Sequence, residues 1–382
     1  MSQAHTPLIV LAAGGTGGHV FPAEALAGEL KRRDYRLALI TDRRGGHYNG
    51  GLGGIETHRI QAGGVAGKGV FARMKSVPEL AIGTLQARAL LRRLKPAVVV
   101  GFGGYASFPT VMAATLAGFP TVIHEQNAVL GRANRLLASR VGRIATSFER
   151  SRGISDEIKS KIVCTGMPVR PEIVAKRDAS YPALHEDSPI NVLIIGGSQG
   201  ARIFSDVMPA ATMKLDPQWR ERLVITQHCR AEDIETVRHT YDSLGVTAEL
   251  STFFDDIPER LAATHLLIGR AGASTIAEAT VVGRPAIMVP YPYAVDDHQT
   301  ANAEAVDEVG GGWLTPEPSF TPDTLAERLN GLFGYPIALQ NAAACSLAAG
   351  RPDAASAFAD LVCTVMRSNG DNANHSEGRQ AA

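Results

Sequence analysis

The sequence predicts an α/β protein made of two Rossmann-like domains in tandem. In the first half, apolar runs such as LIVLAA, RLALIT and AVVVG alternate with helical stretches, a pattern typical of strands buried in a parallel sheet. The same alternation restarts at INVLII and continues to PAIMV. The chain of 382 residues also exceeds what one hydrophobic core usually holds. Two doubly wound sheets are therefore expected.

The domain boundaries follow from where this alternation stops and restarts. Residues 1–165 form the predicted first domain, a linker containing several prolines covers 166–188, and residues 189–345 form the second domain. The helical stretch 346–366 is expected to pack back toward the first domain, and the polar segment 367–382 has the composition of a disordered tail. Ligands of such sheets bind at the carboxyl ends of the strands, so a central cleft between two facing sheets is the predicted site.

Composition restricts the class of protein. No apolar run approaches the ~18 residues of a membrane-spanning helix, and the run from Leu8 to Ala13 is too short for a signal sequence, so a cytoplasmic location is expected. The four cysteines lack metal-site or redox spacing and are expected to be reduced thiols. The 38 basic and 38 acidic residues balance, but residues 1–170 carry 23 Lys and Arg against 10 Asp and Glu. This asymmetry favours an anionic partner for the first half, a membrane surface or a nucleic acid, over charges that only maintain solubility.

The glycine-rich loop GGTGG, residues 14–18, joins the first strand to the first helix. Its glycines allow backbone N–H groups to approach an anion closely at a helix N-terminus. A dinucleotide fingerprint is a weak match, because its third glycine position holds Val20, although Asp42 lies where a ribose-binding acid would. His19 follows the glycines. Histidine is a common general base because it titrates near neutral pH, and the alternative is that His19 only forms a local hydrogen bond.

The second domain opens with a similar loop, GGSQGA, residues 196–201, in which Ser198 adds a hydroxyl donor. Further along, GRAGASTIAEA places Glu278 three residues after Thr275. This spacing fits a capping box with Thr275 as the N-cap residue. It fits equally a carboxylate one turn into a helix that accepts both hydroxyls of a ribose.

Three polar residues near strand ends and in the linker are further candidates. Asn127 and Gln299 offer amide donors and acceptors that suit sugar hydroxyls, although asparagines are common in loops for purely structural reasons. Arg170 is a candidate contact for a diphosphate or a base, or a plain surface residue.

A basic helix is predicted in the first domain. Arg88, Arg92 and Lys95 recur at helical spacing, beside a face that carries Ile82 and Leu85. This pattern fits contact with anionic lipid and fits an ordinary amphipathic surface helix about as well.

Seven motifs taken in order, GGTGGHVFP, GFGGYASFP, HEQNAVLGRAN, TGMPVR, GGSQGA, GRAGASTIAE and DDHQTANA, closely resemble the MurG family, over about residues 8–365. The resemblance implies the two-domain GT-B fold and an inverting, metal-independent hexosyltransferase without a cofactor. It implies transfer of GlcNAc from UDP-GlcNAc to the 4-hydroxyl of MurNAc in lipid I, making lipid II for peptidoglycan synthesis. It also implies a location at the cytoplasmic face of the membrane. The basic first half itself predicts association with the anionic leaflet, with Arg88, Arg92 and Lys95 as the contact surface. Cell-wall synthesis and division proteins are expected partners, and nucleic acid is not.

The resemblance also assigns site residues. The first glycine loop, with GFGGY, would face the diphosphate of the lipid acceptor. Asn127 and Gln299 would hold the GlcNAc hydroxyls, Ser198 would contact the donor phosphates, and Glu278 would bind the ribose. Phe254 would contact uracil through its backbone. The substrate-binding residues implied in this way are Thr16, Gly17, Gly18, Tyr105, Asn127, Asn134, Arg170, Ser198, Phe254, Ala273, Ser274, Thr275, Ile276, Ala277, Glu278 and Gln299.

One departure from the family pattern is Met167, which stands where the family usually has asparagine in TGNPVR. It is expected to alter a linker turn rather than abolish activity.

The acceptor hydroxyl needs a general base. His19 is the first candidate, with Glu125 and His124 as alternatives. Helix N-termini and loops rich in N–H groups can stabilise the departing UDP, and the chain contains no D-x-D pair. The competing hypotheses are a UDP-GlcNAc 2-epimerase, a nucleotide-linked dehydrogenase, and a non-catalytic sugar-nucleotide or membrane scaffold.

Overall fold

The chain folds into two α/β units, each organised around its own parallel sheet. Unit 1 comprises Met1–Arg170 together with Asp353–Ala382, and unit 2 comprises Pro171–Pro352. The computed structural model describes residues 6–14, 17–42, 52–62, 70–197 and 201–380.

Unit 1 contains a seven-stranded sheet in the order β3-β2-β1-β4-β5-β6-β7, with every neighbouring pair parallel. Its strands are β1 (Leu8–Ala12), β2 (Arg36–Thr41), β3 (Glu56–Arg59), β4 (Val98–Gly101), β5 (Thr121–Glu125), β6 (Arg143–Thr146) and β7 (Ile162–Cys164). The connecting helices are α1 (Gly17–Arg32), α2 (Val70–Leu94), α3 (Gly104–Leu116), α4 (Arg132–Leu137) and α5 (Asp156–Lys159). The central strands β4 and β5 are buried at every position, which explains why β4 is a continuous apolar run. The strand order reverses between β1 and β4, where ligands of such sheets bind.

Unit 2 contains a six-stranded parallel sheet in the order β10-β9-β8-β11-β12-β13. Its strands are β8 (Ile190–Ile195), β9 (Leu223–His228), β10 (Thr247–Ser251), β11 (Leu266–Gly269), β12 (Ala286–Met288) and β13 (Gly312–Leu314). Its helices are α6 (Pro171–Val174), α7 (Arg202–Met213), α8 (Pro217–Arg220), α9 (Ile234–Ser243), α10 (Ile257–Ala263), α11 (Ala273–Val282), α12 (His298–Asp307), α13 (Pro322–Gly334) and α14 (Pro336–Ala349). Phe204, Tyr241 and Phe333 lie at the centre of its core. Here too, the strand order reverses next to β8, which leads to the second glycine loop.

The last helix, α15 (Ala354–Gln380), belongs to unit 1. Its residues Phe358 and Val362 lie in one buried cluster with Leu26 of α1. The helix continues through Gln380, and the disorder expected over 367–382 stays a prediction. Within the described ranges, no helix combines the length and the apolarity that a membrane span requires.

A buried arginine, Arg284, joins α11 to β12 in unit 2 and is almost fully enclosed. Its Nε donates to the Leu261 carbonyl at 3.0 Å, Nη1 donates to the Val282 carbonyl at 2.8 Å, and Nη2 donates to the Ala262 carbonyl at 2.6 Å. Burial lowers the pKa of Arg284, and no carboxylate among the described residues forms an ion pair with it. The hydrogen bonds of this guanidinium therefore go to backbone carbonyl groups, and the Tyr181 ring, with its centre 5.7 Å from the guanidinium carbon, packs against it.

We expect Arg284→Met to lower the free energy of unfolding of unit 2 by roughly 3 kcal/mol, because it leaves several buried carbonyl groups without donors. Both tryptophans, Trp219 and Trp313, lie in unit 2, so tryptophan fluorescence during urea denaturation reports on this unit. Arg328→Met, which removes an exposed guanidinium from α13, is the control. Equal urea midpoints for the two variants would contradict the proposed role.

Candidate functional site

In unit 1 the candidate residues lie around the loop that follows β5. Glu125 ends this strand and is 2% exposed. Its Oε2 accepts hydrogen bonds from the Gly131 backbone N–H and from Asn134 Nδ2, both at 2.8 Å. Its Oε1 accepts from the Asn127 backbone N–H at 3.1 Å. A carboxylate surrounded by N–H donors in this way organises the loop, which makes Glu125 a weaker candidate for the general base.

His124, the neighbouring residue in β5, is enclosed in the core of unit 1. Its ring centre lies 4.9 Å from that of Phe358 and 6.2 Å from that of Phe102. Burial lowers the pKa of His124 to about 4, and the nearby His19 adds to this effect, whereas a contact with the Gly166 carbonyl opposes it. The imidazole is therefore neutral at pH 7 and shielded from any ligand in solvent.

His19, on the first turn of α1, is half-buried and packs against the turn that follows β4. Gly103 and Gly104 adopt φ values of 78° and 70°, which are accessible mainly to glycine. A Cβ atom on Gly104 would lie only 3.1 Å from Nε2 of His19. The two glycines thus permit both the turn and the close approach of the imidazole. Tyr105 follows them and is 39% exposed.

Gln126 is a buried residue of this region that the sequence reasoning missed. Its Nε2 donates to the Phe102 carbonyl at 2.8 Å and so ties the end of β5 to the end of β4. The only sequence feature that could have identified Gln126 was its place in HEQN, directly after a buried strand.

The remaining predicted residues of unit 1 lie at its surface or outside the described part of the chain. Gly17 begins α1 and Gly18 is exposed, whereas Thr16 lies outside the described residues. The Arg170 guanidinium lies 5.4 Å from the ring centre of Phe21. Met167 is buried, with its sulfur 3.6 Å from the Ser147 hydroxyl, so it fills the core at the position of the family's asparagine.

In unit 2, the segment predicted to cover the nucleotide forms the first turns of α11. The helix begins at Ala273 with Gly272 as its N-cap residue, and no side chain caps it. The capping-box interpretation is therefore wrong, because Thr275 lies inside the helix. Glu278 lies in the second turn and is half-buried, as are Ser274, Thr275 and Ala277, whereas Ala273 and Ile276 are buried.

Gln299 lies in the first turn of α12 and accepts a hydrogen bond through Oε1 from the Tyr291 backbone N–H at 2.9 Å. The two residues that precede this helix, Asp296 and Asp297, have φ values of 53° and 52°. Such values strain non-glycine residues and are common at functional sites. Asn302, another buried residue that the sequence reasoning missed, donates from Nδ2 to the Ala271 carbonyl at 3.1 Å.

Phe254, predicted to contact uracil through its backbone, has a buried side chain. The Arg260 guanidinium lies 4.3 Å from its ring centre. The preceding residue, Phe253, is 70% exposed. Ser198, the predicted phosphate contact, lies outside the described residues.

The predicted basic helix is the second half of α2. Ala87 and Leu91 face the core, Arg88 is half-buried, and Arg92 and Lys95 are exposed. Ile82 and Leu85 are also exposed, the latter by 66%. An exposed apolar face thus adjoins the basic one. Among the described residues, no group of three His, Cys, Asp or Glu side chains is arranged to hold a metal ion.

Known proteins are similar to this chain over almost its full length. The model of the glycosyltransferase family 28 N-terminal domain matches residues 9–146, and that of the C-terminal domain matches residues 191–358. The UDP-N-acetylglucosamine–N-acetylmuramyl-(pentapeptide) pyrophosphoryl-undecaprenol N-acetylglucosamine transferase of Paramagnetospirillum magneticum is 60% identical over 360 residues, which are 94% of this chain and 97% of that protein. The protein of the same name from Rhodospirillum rubrum is 58% identical over 357 residues, 93% and 91% of the two chains. The crystal structure of Acinetobacter baumannii MurG is 28% identical with a TM-score of 0.75, and the match covers 94% of this chain and 99% of that one.

Stability should depend on pH through His124. Its pKa is about 4 in the folded protein and about 6.5 in the unfolded chain, so between these values only the unfolded state takes up the proton. The contribution of neutral His124 to the free energy of unfolding is complete above about pH 6.5. It should decrease by roughly 3 kcal/mol as the pH falls to about 4. We expect His124→Phe, which keeps an aromatic ring beside Phe102 and Phe358, to remove this decrease.

The measurement is amide hydrogen exchange of β5 peptides at several pH values, corrected for intrinsic exchange rates. His239→Gln, at an exposed position of α9, is the control and should retain the wild-type dependence. A pH dependence of β5 protection that is identical in wild type and His124→Phe would disprove the prediction.

Proposed function

The chain belongs to the MurG family of glycosyltransferases, and we infer from this membership that it transfers N-acetylglucosamine from UDP-GlcNAc to the MurNAc 4-hydroxyl of lipid I. The product is lipid II, the precursor of peptidoglycan. One observation carries the inference: the chain is 60% identical to a transferase named for this activity, and the match covers 97% of that protein. The two units of the GT-B fold agree with it.

The proposed chemistry is a single in-line displacement with inversion at the anomeric carbon. The acceptor oxygen forms a bond to C1 of GlcNAc while the bond from C1 to the UDP oxygen breaks, and UDP leaves with the electron pair. The hydroxyl proton passes to a general base, for which we propose His19. The imidazole of His19 is half-buried on the first turn of α1, whereas Glu125 and His124 are enclosed, and this difference supports the role.

We propose that unit 2 binds the donor. The N-terminus of α11 has no side-chain cap and directs backbone N–H groups and a positive dipole outward, which suits a departing diphosphate. We propose that Glu278, half-buried on the second turn of the same helix, accepts hydrogen bonds from the ribose hydroxyls. The bond from the Tyr291 N–H to Gln299 Oε1 orients that amide so that its NH₂ group is the donor to a GlcNAc oxygen.

We further propose that the protein is peripheral on the cytoplasmic face of the membrane, with α2 as one contact. The excess of basic over acidic residues in 1–170 and the exposed Ile82 and Leu85 beside Arg92 support attraction to an anionic leaflet. Partners among cell-wall synthesis and division proteins remain an expectation from the family.

The transfer reaction is tested with labelled UDP-GlcNAc and a lipid I analogue. We expect His19→Ala to lower kcat by about 10²- to 10⁴-fold and to leave the Kd for UDP-GlcNAc unchanged, because only proton transfer is lost. Glu278→Ala should raise that Kd by about 10- to 100-fold, because hydrogen bonds to a charged group are removed. Glu327→Ala, an exposed change on α13, is the control.

Other outcomes identify the competing hypotheses. Binding of UDP-GlcNAc without any transfer would support a scaffold, and conversion of the sugar nucleotide without an acceptor would support a 2-epimerase. Tight NADH binding in place of UDP-GlcNAc would support a dehydrogenase.

The membrane contact is tested by flotation with liposomes that contain anionic lipid. We expect reversal of Arg88, Arg92 and Lys95 to Glu to reduce the floated fraction severalfold, because each basic residue contributes about 1 kcal/mol near such a surface. Reversal of three exposed basic residues of unit 2, Arg202, Lys214 and Arg328, should have little effect. Unchanged flotation of the α2 variant would exclude this surface as the membrane contact.

A further inference from the structure

Arg270 immediately follows β11 and lies at the carboxyl end of the unit 2 sheet. Its side chain is only 12% exposed. Nη1 donates to the carbonyl groups of Val289 and Pro290 at 3.3 and 3.1 Å. These bonds fasten the segment between β11 and α11 to the segment that leaves β12.

The same guanidinium packs against two aromatic rings. Its central carbon lies 5.5 Å from the ring centre of Phe204, on the first turn of α7, and 5.3 Å from that of Tyr291. A planar guanidinium packs favourably on aromatic rings and at the same time keeps its N–H groups available for hydrogen bonds at its edge. Three segments of unit 2 therefore meet at Arg270: the start of α7, the connection from β11 to α11, and the connection from β12 to α12.

Glu317, in the short 3₁₀ turn Glu317–Ser319 after β13, supplies the negative charge. Its Oε2 lies 2.5 Å from Nη1 of Arg270, and its side chain is 27% exposed. None of the described residues donates an aligned hydrogen bond to this oxygen, so the contact is chiefly Coulombic. Within the described chain, Glu317 is also the only carboxylate paired with Arg270. A largely buried guanidinium deprived of its counter-ion is strongly disfavoured, so removal of this charge should loosen the whole contact.

Two of the three segments that meet at Arg270 lead to a residue proposed to bind the donor. Helix α11 begins three residues after Arg270 and carries Glu278. The Tyr291 ring packs on the guanidinium while the Tyr291 N–H holds Gln299. Displacement of Arg270 would thus change the distance between the groups proposed for the ribose and for GlcNAc.

We propose that Glu317 is a positioning residue for the sugar-nucleotide donor and acts through Arg270. It holds the guanidinium against the Val289 and Pro290 carbonyls and the two rings, and so fixes the start of α11 relative to Gln299. This inference rests on the proposed function, because it takes the donor to be UDP-GlcNAc.

The test is Glu317→Gln, which keeps the size of the side chain and removes its charge. We expect the KM and the calorimetric Kd for UDP-GlcNAc to rise about tenfold, the effect of a modest misplacement of binding groups. The kcat at saturating donor and the KM for a lipid I analogue should stay within about twofold. Glu317→Asp, which retains the charge, should restore part of the affinity, and Glu327→Gln on the exposed face of α13 should match wild type.

A double-mutant cycle separates positioning from general destabilisation. If Glu317 acts through Arg270, Glu317→Gln should have little further effect on donor affinity in an Arg270→Met background. Additive effects would overturn the proposal, as would an unchanged donor Kd or equal changes in both substrate KM values. A lower donor Kd would also overturn it, because it would mean that Glu317 restrains Arg270 from binding the diphosphate directly. Should the wild type bind UDP-GlcNAc without transferring it, the proposed function fails while the Kd comparison still tests this inference.

Discussion

Burial of both faces of each parallel sheet is the constraint on which the rest of this structure depends. A strand covered on both sides has no room for a solvated polar side chain, so polar chemistry is confined to the strand ends and the loops beyond them. The strand Thr121–Glu125 illustrates the consequence. Its last two residues are polar yet buried, and they remain so only because His124 is neutral and Glu125 receives several N–H donors. The loop that carries Asn127 and the helix that carries Asn134 are therefore held by a buried carboxylate.

The glycines serve the same constraint in a different way. At the switch point of unit 1, the turn after β4 must bring backbone close to α1, and only residues without a Cβ can do so beside the His19 ring. The His19 imidazole on the first turn of α1 and the turn formed by Gly103 and Gly104 thus determine each other's positions. This explains why a motif that resembles a dinucleotide fingerprint lacks its third glycine: Val20 packs against the core of unit 1 instead.

Sequence reasoning could predict what depends on local pattern and could not predict what depends on tertiary contact. Apolar runs located β1, β2, β4 and β8 because burial on both faces leaves a continuous hydrophobic signal. The start of α11 was ambiguous, because Thr275 and Glu278 have capping-box spacing while Gly272 is the actual N-cap. Arg270 and Glu317 are far apart in the chain, and no local sequence pattern predicts that they pair. The burial of Arg284 could not be predicted either, since its hydrogen bonds go to backbone carbonyl groups and no carboxylate in the sequence pattern marks it.

The two buried arginines of unit 2 show how position in a sheet decides the way a charge is compensated. Arg284 lies before β12, at the amino end of the sheet, where its guanidinium donates to backbone carbonyl groups and packs against the Tyr181 ring. Arg270 lies after β11, at the carboxyl end, where an anionic ligand is expected to bind. Pairing with Glu317 compensates the guanidinium there, and the Val289 and Pro290 carbonyl groups hold it in place. We propose that Arg270 thereby shapes the site, and that backbone N–H groups and helix dipoles stabilise the charge of a departing diphosphate.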